Sequence, residues 1–239
     1  MKTVAMNNIK TNKLEMDMLN FTQNEFQVET SQTKELRVEQ LRTLLNKITS
    51  RDKTKLEAYL IEESDFLTAP ASCFFHNNFE GGLFDHSVNV YTYAKQFAKV
   101  VEASHQIIYT DETLLLTTLC HDLCKCNQYE TGIRWTKDDK TGKWQSYQTY
   151  LINDQFPLGH GEKSVFMLQK LIDITEEEAC SIRWHLGFSD PSIHTGWPSR
   201  GSFQQAFNNY PLVKIVHLAD LSTALNEKCY DHKKGEYKK

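Results

Sequence analysis

No stretch of this 239-residue chain approaches the roughly 20 consecutive apolar residues that a membrane-spanning helix needs. The amino terminus also lacks the compact apolar block of a secretory signal. Basic residues are not in excess, since the net charge is -4, and the sequence therefore gives no general electrostatic signal for binding a long nucleic acid. Together these absences predict a cytoplasmic protein that does not act in a membrane.

Internal repeats and low-complexity linkers are also absent, and the length fits one substantial domain. Residues 1–33 are polar and have no sustained apolar period, which favours a flexible arm. Residues 34–230 are predicted to form the folded domain, and residues 231–239 a solvated tail.

Apolar residues in the predicted domain recur at spacings that indicate helices with one buried face. The predicted helices cover residues 34–48, 52–63, 82–102, 111–126, 160–173, 175–186 and 211–227. Thr110 or Asp111, and Thr175, are candidate N-caps. Residues 132–150, "GIRWTKDDKTGKWQSYQTY", instead alternate aromatic and polar side chains around a turn, which predicts a β-hairpin. The predicted fold class is all-α, with a small hairpin inserted after residue 126.

The segment "TLCHDLCKC", residues 118–126, is compatible with two different metal sites. Its cysteines could bind zinc as thiolates, or His121 and Asp122 could bind a harder ion while the cysteines pack in the core. The six cysteines of the chain are irregularly spaced, which indicates free thiols in a reducing compartment. We favour the His-Asp hypothesis, with the thiolate site as the alternative.

Further candidate ligands lie near the ends of other predicted helices or within their apolar stretches: His86, His160, His185 and Asp220. A single histidine on an apolar face is more often a hydrogen-bonded core residue than a ligand. Several on successive helices would be costly to bury without a shared partner, and a metal ion is such a partner. Imidazole and carboxylate ligands suit Mn, Fe, Ni, Zn or Mg better than a thiolate-selected structural site would.

The order of a first histidine, a His-Asp pair and a distant aspartate resembles the HD superfamily of metal-dependent phosphohydrolases. The segments "HNNFEGGLFDHS", "HDLCK", "LGHGEKS" and "RWHLG" carry this resemblance, which covers about residues 75–225. The first of them is similar to the entry helix of the YhaM-type exoribonuclease and relaxase-associated branches. The family fold that the resemblance implies is a helical bundle around the metal site.

The resemblance also implies one or two divalent ions (Mn, Fe, Ni, Mg or Zn) and a metal-activated water. The first ion would be bound by His86, His121, Asp122 and Asp220, and the second by Asp122, His160 and His185. Such a centre activates water near neutral pH and can clamp both oxygens of an in-line displacement. The implied substrate is a nucleotide, a short or cyclic oligonucleotide, or another small phosphoester.

Residues close to these ligands in sequence are candidates for further roles. Lys125 follows His121 by four positions and Asp122 by three, so we expect it on the same side, where it could hold the substrate phosphate or orient the nucleophile. A solvated lysine near a helix C-terminus is the alternative. His217 precedes Asp220 by three positions and could orient a ligand, or be a core histidine.

His76 and Arg183 are candidates for contacting the substrate. His76 could reach it through the Gly81–Gly82 turn, or make a hydrogen bond within its loop. Arg183 could hold a phosphate beside His185, or be an exposed arginine. The alternative function for the whole chain is a non-catalytic metal-binding regulatory or protein-interaction module. The sequence does not predict an oligomeric state.

Overall fold

The computed structural model describes residues 33–238, so nearly all of the predicted arm lies outside the described residues. Eight α-helices dominate this part of the chain, with two small antiparallel hairpins. The helices are α1 Lys34–Leu45, α2 Thr54–Ala58, α3 Gly82–His105, α4 Asp111–Leu119, α5 His160–Leu168, α6 Glu176–Arg183, α7 Trp197–Asn209 and α8 Pro211–Asn226. The strands are β1 Tyr129–Lys137, β2 Trp144–Ile152, β3 Tyr230–Asp231 and β4 Glu236–Tyr237. The mainly helical fold with a small hairpin is as predicted.

Two predicted N-caps are confirmed. The Thr110 hydroxyl accepts a hydrogen bond from the amide of Thr113 at 3.1 Å and begins α4. Thr175 begins α6 with a capping box, in which its hydroxyl and the Glu178 carboxylate each accept a bond from the other residue's amide. Such caps satisfy amides that have no partner within the helix.

The main core lies around α3, which contacts both α4 and α8. Leucine and branched side chains from these helices fill it, including Leu83, Val90, Leu116, Ile215 and Val216. Each buried side chain of this size contributes roughly 1.5–3 kcal/mol by leaving water. This core fixes the three helices that carry or precede His86, the His-Asp pair and Asp220.

The helix predicted over residues 111–126 is wrong in its second half, because α4 ends at Leu119. Cys120 leaves helical geometry at φ -109° and ψ 5°, and a short 3-10 turn follows at Leu123–Lys125. His121 and Asp122 therefore lie in the turn between these helices rather than on the flank of one helix. The apolar pattern continues through the turn because the turn is itself buried, so periodicity alone did not mark the end.

Helix α7 was not predicted. Its sequence contains Pro198, Gly201 and many polar residues, and it buries only Phe203 and Ala206. Pro198 stands in the first turn, where a missing amide hydrogen costs nothing.

The predicted hairpin is confirmed, with strands that extend slightly beyond residues 132–150. Tyr129 pairs with Ile152 at its base and Lys137 with Trp144 at its tip. The turn is closed by Asp138, whose carboxylate accepts the amide hydrogens of Lys140 and Thr141.

The carboxyl-terminal segment, predicted as a solvated tail, contains strands β3 and β4. The Asn78 side chain makes two hydrogen bonds to the backbone of Tyr230, of 2.6 and 2.7 Å, at the start of this segment. Residues 233–238 are exposed. No helix within residues 33–238 is both long and apolar enough to cross a membrane.

Candidate metal centre

The structure brings together the six ligands that the resemblance implies: His86, His121, Asp122, His160, His185 and Asp220. They come from five segments, namely α3, the turn after α4, the first residue of α5, the turn after α6, and α8. The four histidine Nε2 atoms face one another and the two carboxylates.

One part of this cluster surrounds the Oδ2 atom of Asp122 and is called here the Oδ2 side. It contains His86, His121 and Asp220. The Nε2 atoms of His86 and His121 lie 3.3 Å apart, and His86 Nε2 lies 3.1 Å from Asp220 Oδ1. Asp122 Oδ2 lies 3.2 Å from His121 Nε2 and 3.6 Å from His86 Nε2.

The other part, called here the Oδ1 side, contains His160 and His185. Their Nε2 atoms lie 3.2 Å apart. Asp122 Oδ1 is 2.8 Å from His160 Nε2 and 3.6 Å from His185 Nε2. One carboxylate thus faces two pairs of histidines, with a different oxygen toward each pair.

Two of the histidines are held in the same way by the ends of helices. His121 stands two residues after the last residue of α4, and His185 two residues after the last residue of α6. Each Nδ1 lies 2.7 Å from a backbone carbonyl three residues earlier, of Thr118 and Ile182 respectively. A carbonyl only accepts hydrogen bonds, so Nδ1 carries the hydrogen and Nε2 of the neutral ring presents its lone pair to the cluster.

The remaining two histidines have different Nδ1 partners. His86 Nδ1 lies 2.8 Å from a carboxylate oxygen of Glu227, whose other oxygen accepts a hydrogen bond from Asn89. His160 Nδ1 lies 3.3 Å from the sulfur of Cys124. A carboxylate fixes the ring as an Nδ1–H donor, whereas a thiol can donate or accept.

This arrangement fits a bound cation. Two Nε2 lone pairs at 3.2–3.3 Å repel unless a proton or metal ion lies between them. Asp122 Oδ1 is buried and accepts no hydrogen bond of acceptable geometry, although His160 Nε2 is close to it. The histidines and aspartates form groups that could hold a metal ion, and none of those groups in residues 33–238 contains a cysteine.

Charges inside the cluster stabilise one another. Burial raises the pKa of Asp122, but Lys125 and His121 outweigh it and hold that pKa well below its ordinary value. Burial lowers the pKa of His86, but the carboxylates of Glu227 and Asp220 outweigh it and raise that pKa to about 10. The cluster therefore stabilises positive charge on its Oδ2 side, as expected of a site for a cation.

Lys125 contacts the shared aspartate directly. Its Nζ lies 2.7 Å from Asp122 Oδ2, and only 12% of its side chain is exposed. Burial lowers the pKa of Lys125, but the Asp122 carboxylate outweighs it and raises the pKa above its ordinary value. The side chain is thus a cation held at the edge of the cluster rather than a solvated lysine.

His76 and His217 lie next to the cluster. The ring centroid of His76 is 4.7 Å from that of His86, and its Nε2 is buried without a hydrogen-bond partner in the described part of the chain. His217 Nδ1 lies 2.8 Å from the backbone oxygen of His185, so it supports the main chain of that candidate ligand. Gly187, at φ +54°, lets the chain pass the His217 ring, because a Cβ there would lie 2.3 Å from the ring.

Arg183 contacts other residues rather than the six candidate ligands. Its guanidinium lies 2.5 Å from Glu162 and 2.6 Å from Asp190, and it stacks on Trp184 at 3.8 Å from the ring centroid. Two carboxylates already balance its charge, so the arrangement gives no support to the predicted phosphate contact.

Sequence reasoning missed Glu227, Asn89 and the contact of Cys124. Glu227 follows Asp220 by seven residues, two helical turns, and Asn89 follows His86 by three. These spacings put each residue on the same face as a candidate ligand and could have identified it. Cys124 was interpreted only as a packing residue, as Cys120 and Cys126 are in the main core.

Comparison with known proteins adds no family name to this geometry. No family model matches the chain, and no curated protein or solved structure is significantly similar to it. The class that the fold and site define is a mainly helical protein with a buried His/Asp cluster that could hold a metal ion.

Proposed function

We propose that this protein is a metal-dependent phosphohydrolase with an HD-type helical bundle. Its substrate is a nucleotide, a short or cyclic oligonucleotide, or another small phosphoester. The observation that carries the proposal is the position of Asp122, which turns one oxygen to His86 and His121 and the other to His160 and His185. A carboxylate shared in this way is suited to bridging two divalent ions.

The chain's own residues have separate roles in this proposal. On the Oδ2 side, His86, His121 and Asp220 would complete the ligands of one ion, and on the Oδ1 side His160 and His185 those of the other. Bound divalent ions supply a water that is acidic enough to give hydroxide near neutral pH, and positive charge for a phosphate oxygen. The fixed Nδ1 hydrogen bonds keep the ligand rings oriented.

In this proposal two further side chains would contact the substrate. Lys125 puts a positive charge beside Asp122, where a phosphate oxygen would approach the ions. His76 offers an unpaired Nε2 beside His86. Burial and the neighbouring His86 lower the pKa of His76 to about 4, so the ring is neutral at pH 7 and can hydrogen-bond without adding charge.

Hydrolysis of bis-p-nitrophenyl phosphate, measured with each divalent ion in turn, tests this function. We expect turnover that depends on the metal and falls at least about a hundredfold in Asp122→Ala, since the change removes several kcal/mol of charge stabilisation. Asp190→Ala is the matched control, because Asp190 is also a buried aspartate but pairs with Arg183.

Metal-stimulated turnover that survives Asp122→Ala would contradict the assigned site. Stoichiometric metal binding without hydrolysis of the model ester, nucleotides, cyclic dinucleotides or short RNA and DNA would overturn the enzyme proposal in favour of a regulatory module. Metal lost only when Cys120, Cys124 and Cys126 are together replaced by serine would support the thiolate site.

A further inference from the structure

A cavity of about 370 Å³ lies beside α7 and shares no lining residue with the His/Asp cluster. Phe188, Phe203 and Phe207 supply its aromatic wall, and Phe203 lies 5.2 Å from Phe188 and 5.3 Å from Phe207 between ring centroids. Trp184 packs behind Phe203 at 5.5 Å. The volume falls in the range of small-molecule sites, roughly 300–1,000 Å³.

Within this aromatic wall Phe203 is buried, whereas Phe188 is exposed. Phe203 is buried and packs in a second core cluster with Trp184, Ile193 and Val213. Phe188 remains 66% exposed although it contacts the other two phenylalanine rings. Phe188 meets Phe203 edge to face, and its exposed ring gives a flat ligand an aromatic surface to contact.

Polar groups along α7 form another side of the cavity. Arg200, Gln204 and Asn208 are four residues apart, so they form a row along one side of the helix. In the described part of the chain, none of these three side chains has a hydrogen-bond or ion-pair partner, and no carboxylate lines the cavity.

Within the described residues Arg200 has no carboxylate partner, whereas Arg183 has two. Glu162 and Asp190 balance the charge of Arg183, whereas the charge of Arg200 stands beside aromatic rings and two amides. An uncompensated guanidinium at an aromatic cavity favours a ligand with negative charge next to a flat ring. The amides of Gln204 and Asn208 can hydrogen-bond to polar atoms at the ring edge.

We propose that this cavity is a binding site for a planar aromatic anion. The ring stacks on the phenylalanine wall, and the anionic group binds Arg200. The site goes beyond the proposed hydrolysis and does not depend on it, because none of its residues is a candidate metal ligand.

The test uses two fluorescent probes on the full-length protein: 1-anilinonaphthalene-8-sulfonate, which is anionic, and N-phenyl-1-naphthylamine, its uncharged analogue. We expect the sulfonate to bind saturably at one site and more tightly than the uncharged probe. Arg200→Gln should weaken the sulfonate about tenfold to a hundredfold, the usual range for losing a charged hydrogen bond, and should leave the uncharged probe unchanged.

A second variant keeps Arg200 and balances its positive charge with a nearby carboxylate. Gln204→Glu adds a carboxylate one turn away, imitating the pairing of Arg183, and should also weaken the sulfonate selectively. The matched control is the double variant Trp135→Ala and Trp144→Ala, because these exposed hairpin rings are another aromatic surface to which such probes could bind.

Unchanged sulfonate affinity in both α7 variants would overturn the proposal. Loss of binding in the hairpin variant would also overturn it, by assigning the probe to the hairpin. Equal affinity for the charged and uncharged probes would show that the cavity does not select an anion.

Discussion

The two sides of the His/Asp cluster are built from the same side-chain types but are held differently. On the Oδ2 side, His86 and His121 are fully buried, and a carboxylate and a backbone carbonyl fix their Nδ1 atoms. On the Oδ1 side, the His160 side chain is 29% exposed and its Nδ1 faces a thiol. The Oδ2 side also has Asp220, whose Oδ1 lies 3.1 Å from His86 Nε2 and which also groups with His121 and His185.

This difference predicts two unequal metal positions. More ligands with fixed orientation favour tighter binding, because less freedom is lost when the ion binds. Partial exposure of His160 leaves the Oδ1 side accessible to water and substrate. We therefore expect the Oδ2 side to load first and the Oδ1 side to exchange its ion more readily.

The largest effect should follow from removing the group common to both sides. Asp122→Asn keeps the shape of the side chain but removes its charge, and we expect both metal positions to lose affinity at least about a hundredfold. Calorimetric titration with Mn²⁺ measures this. If one strong binding step persists in Asp122→Asn, the carboxylate is not shared.

Glu227→Gln should affect the Oδ2 side selectively. Removing a carboxylate that orients a ligand histidine typically lowers metal affinity tenfold to a hundredfold. We expect that loss in the first binding step, with the second step changed little. Glu236→Gln, a change in the exposed strand β4, is the control. Equal weakening of both steps would mean that Glu227 acts on the fold rather than on His86.

The pH dependence of metal binding should also report on the Oδ2 side. With its pKa raised to about 10, His86 is protonated in the ion-free protein at neutral pH, and an ion must displace that proton. Affinity for the first ion should therefore rise with pH, by about tenfold per unit for one displaced proton, between pH 6 and 8. A first binding step that is independent of pH would contradict this assignment.

The smallest effect is expected at Cys124. Cys124→Ala removes the only Nδ1 partner of His160 within the described residues, so the second binding step should weaken severalfold. Cys120→Ala is the control, since Cys120 is equally buried but packs in the apolar core. It should lower the melting temperature and leave both binding steps unchanged.

The sequence predicted the candidate metal ligands better than the local structure and the ion pairs around them. Motif order, burial cost and the resemblance to the HD superfamily selected six residues that the structure brings together, and their binding of a metal ion stays a prediction: His86, His121, Asp122, His160, His185 and Asp220. The end of α4 at Leu119 could not be predicted, since the turn after it is buried like the helix and continues its apolar spacing through Leu123. The pairing of Arg183 depends on Glu162 and Asp190 meeting it in space. Such pairing has no clear signal along the chain.

Anomalous diffraction from crystals grown with Mn²⁺ tests the shared-aspartate centre most directly. We predict a strong peak between His86, His121 and Asp220, and a second, weaker peak between His160 and His185, with Asp122 in contact with both. A peak bound by the sulfur atoms of Cys120, Cys124 or Cys126, or no peak within the cluster at saturating Mn²⁺, would contradict the account.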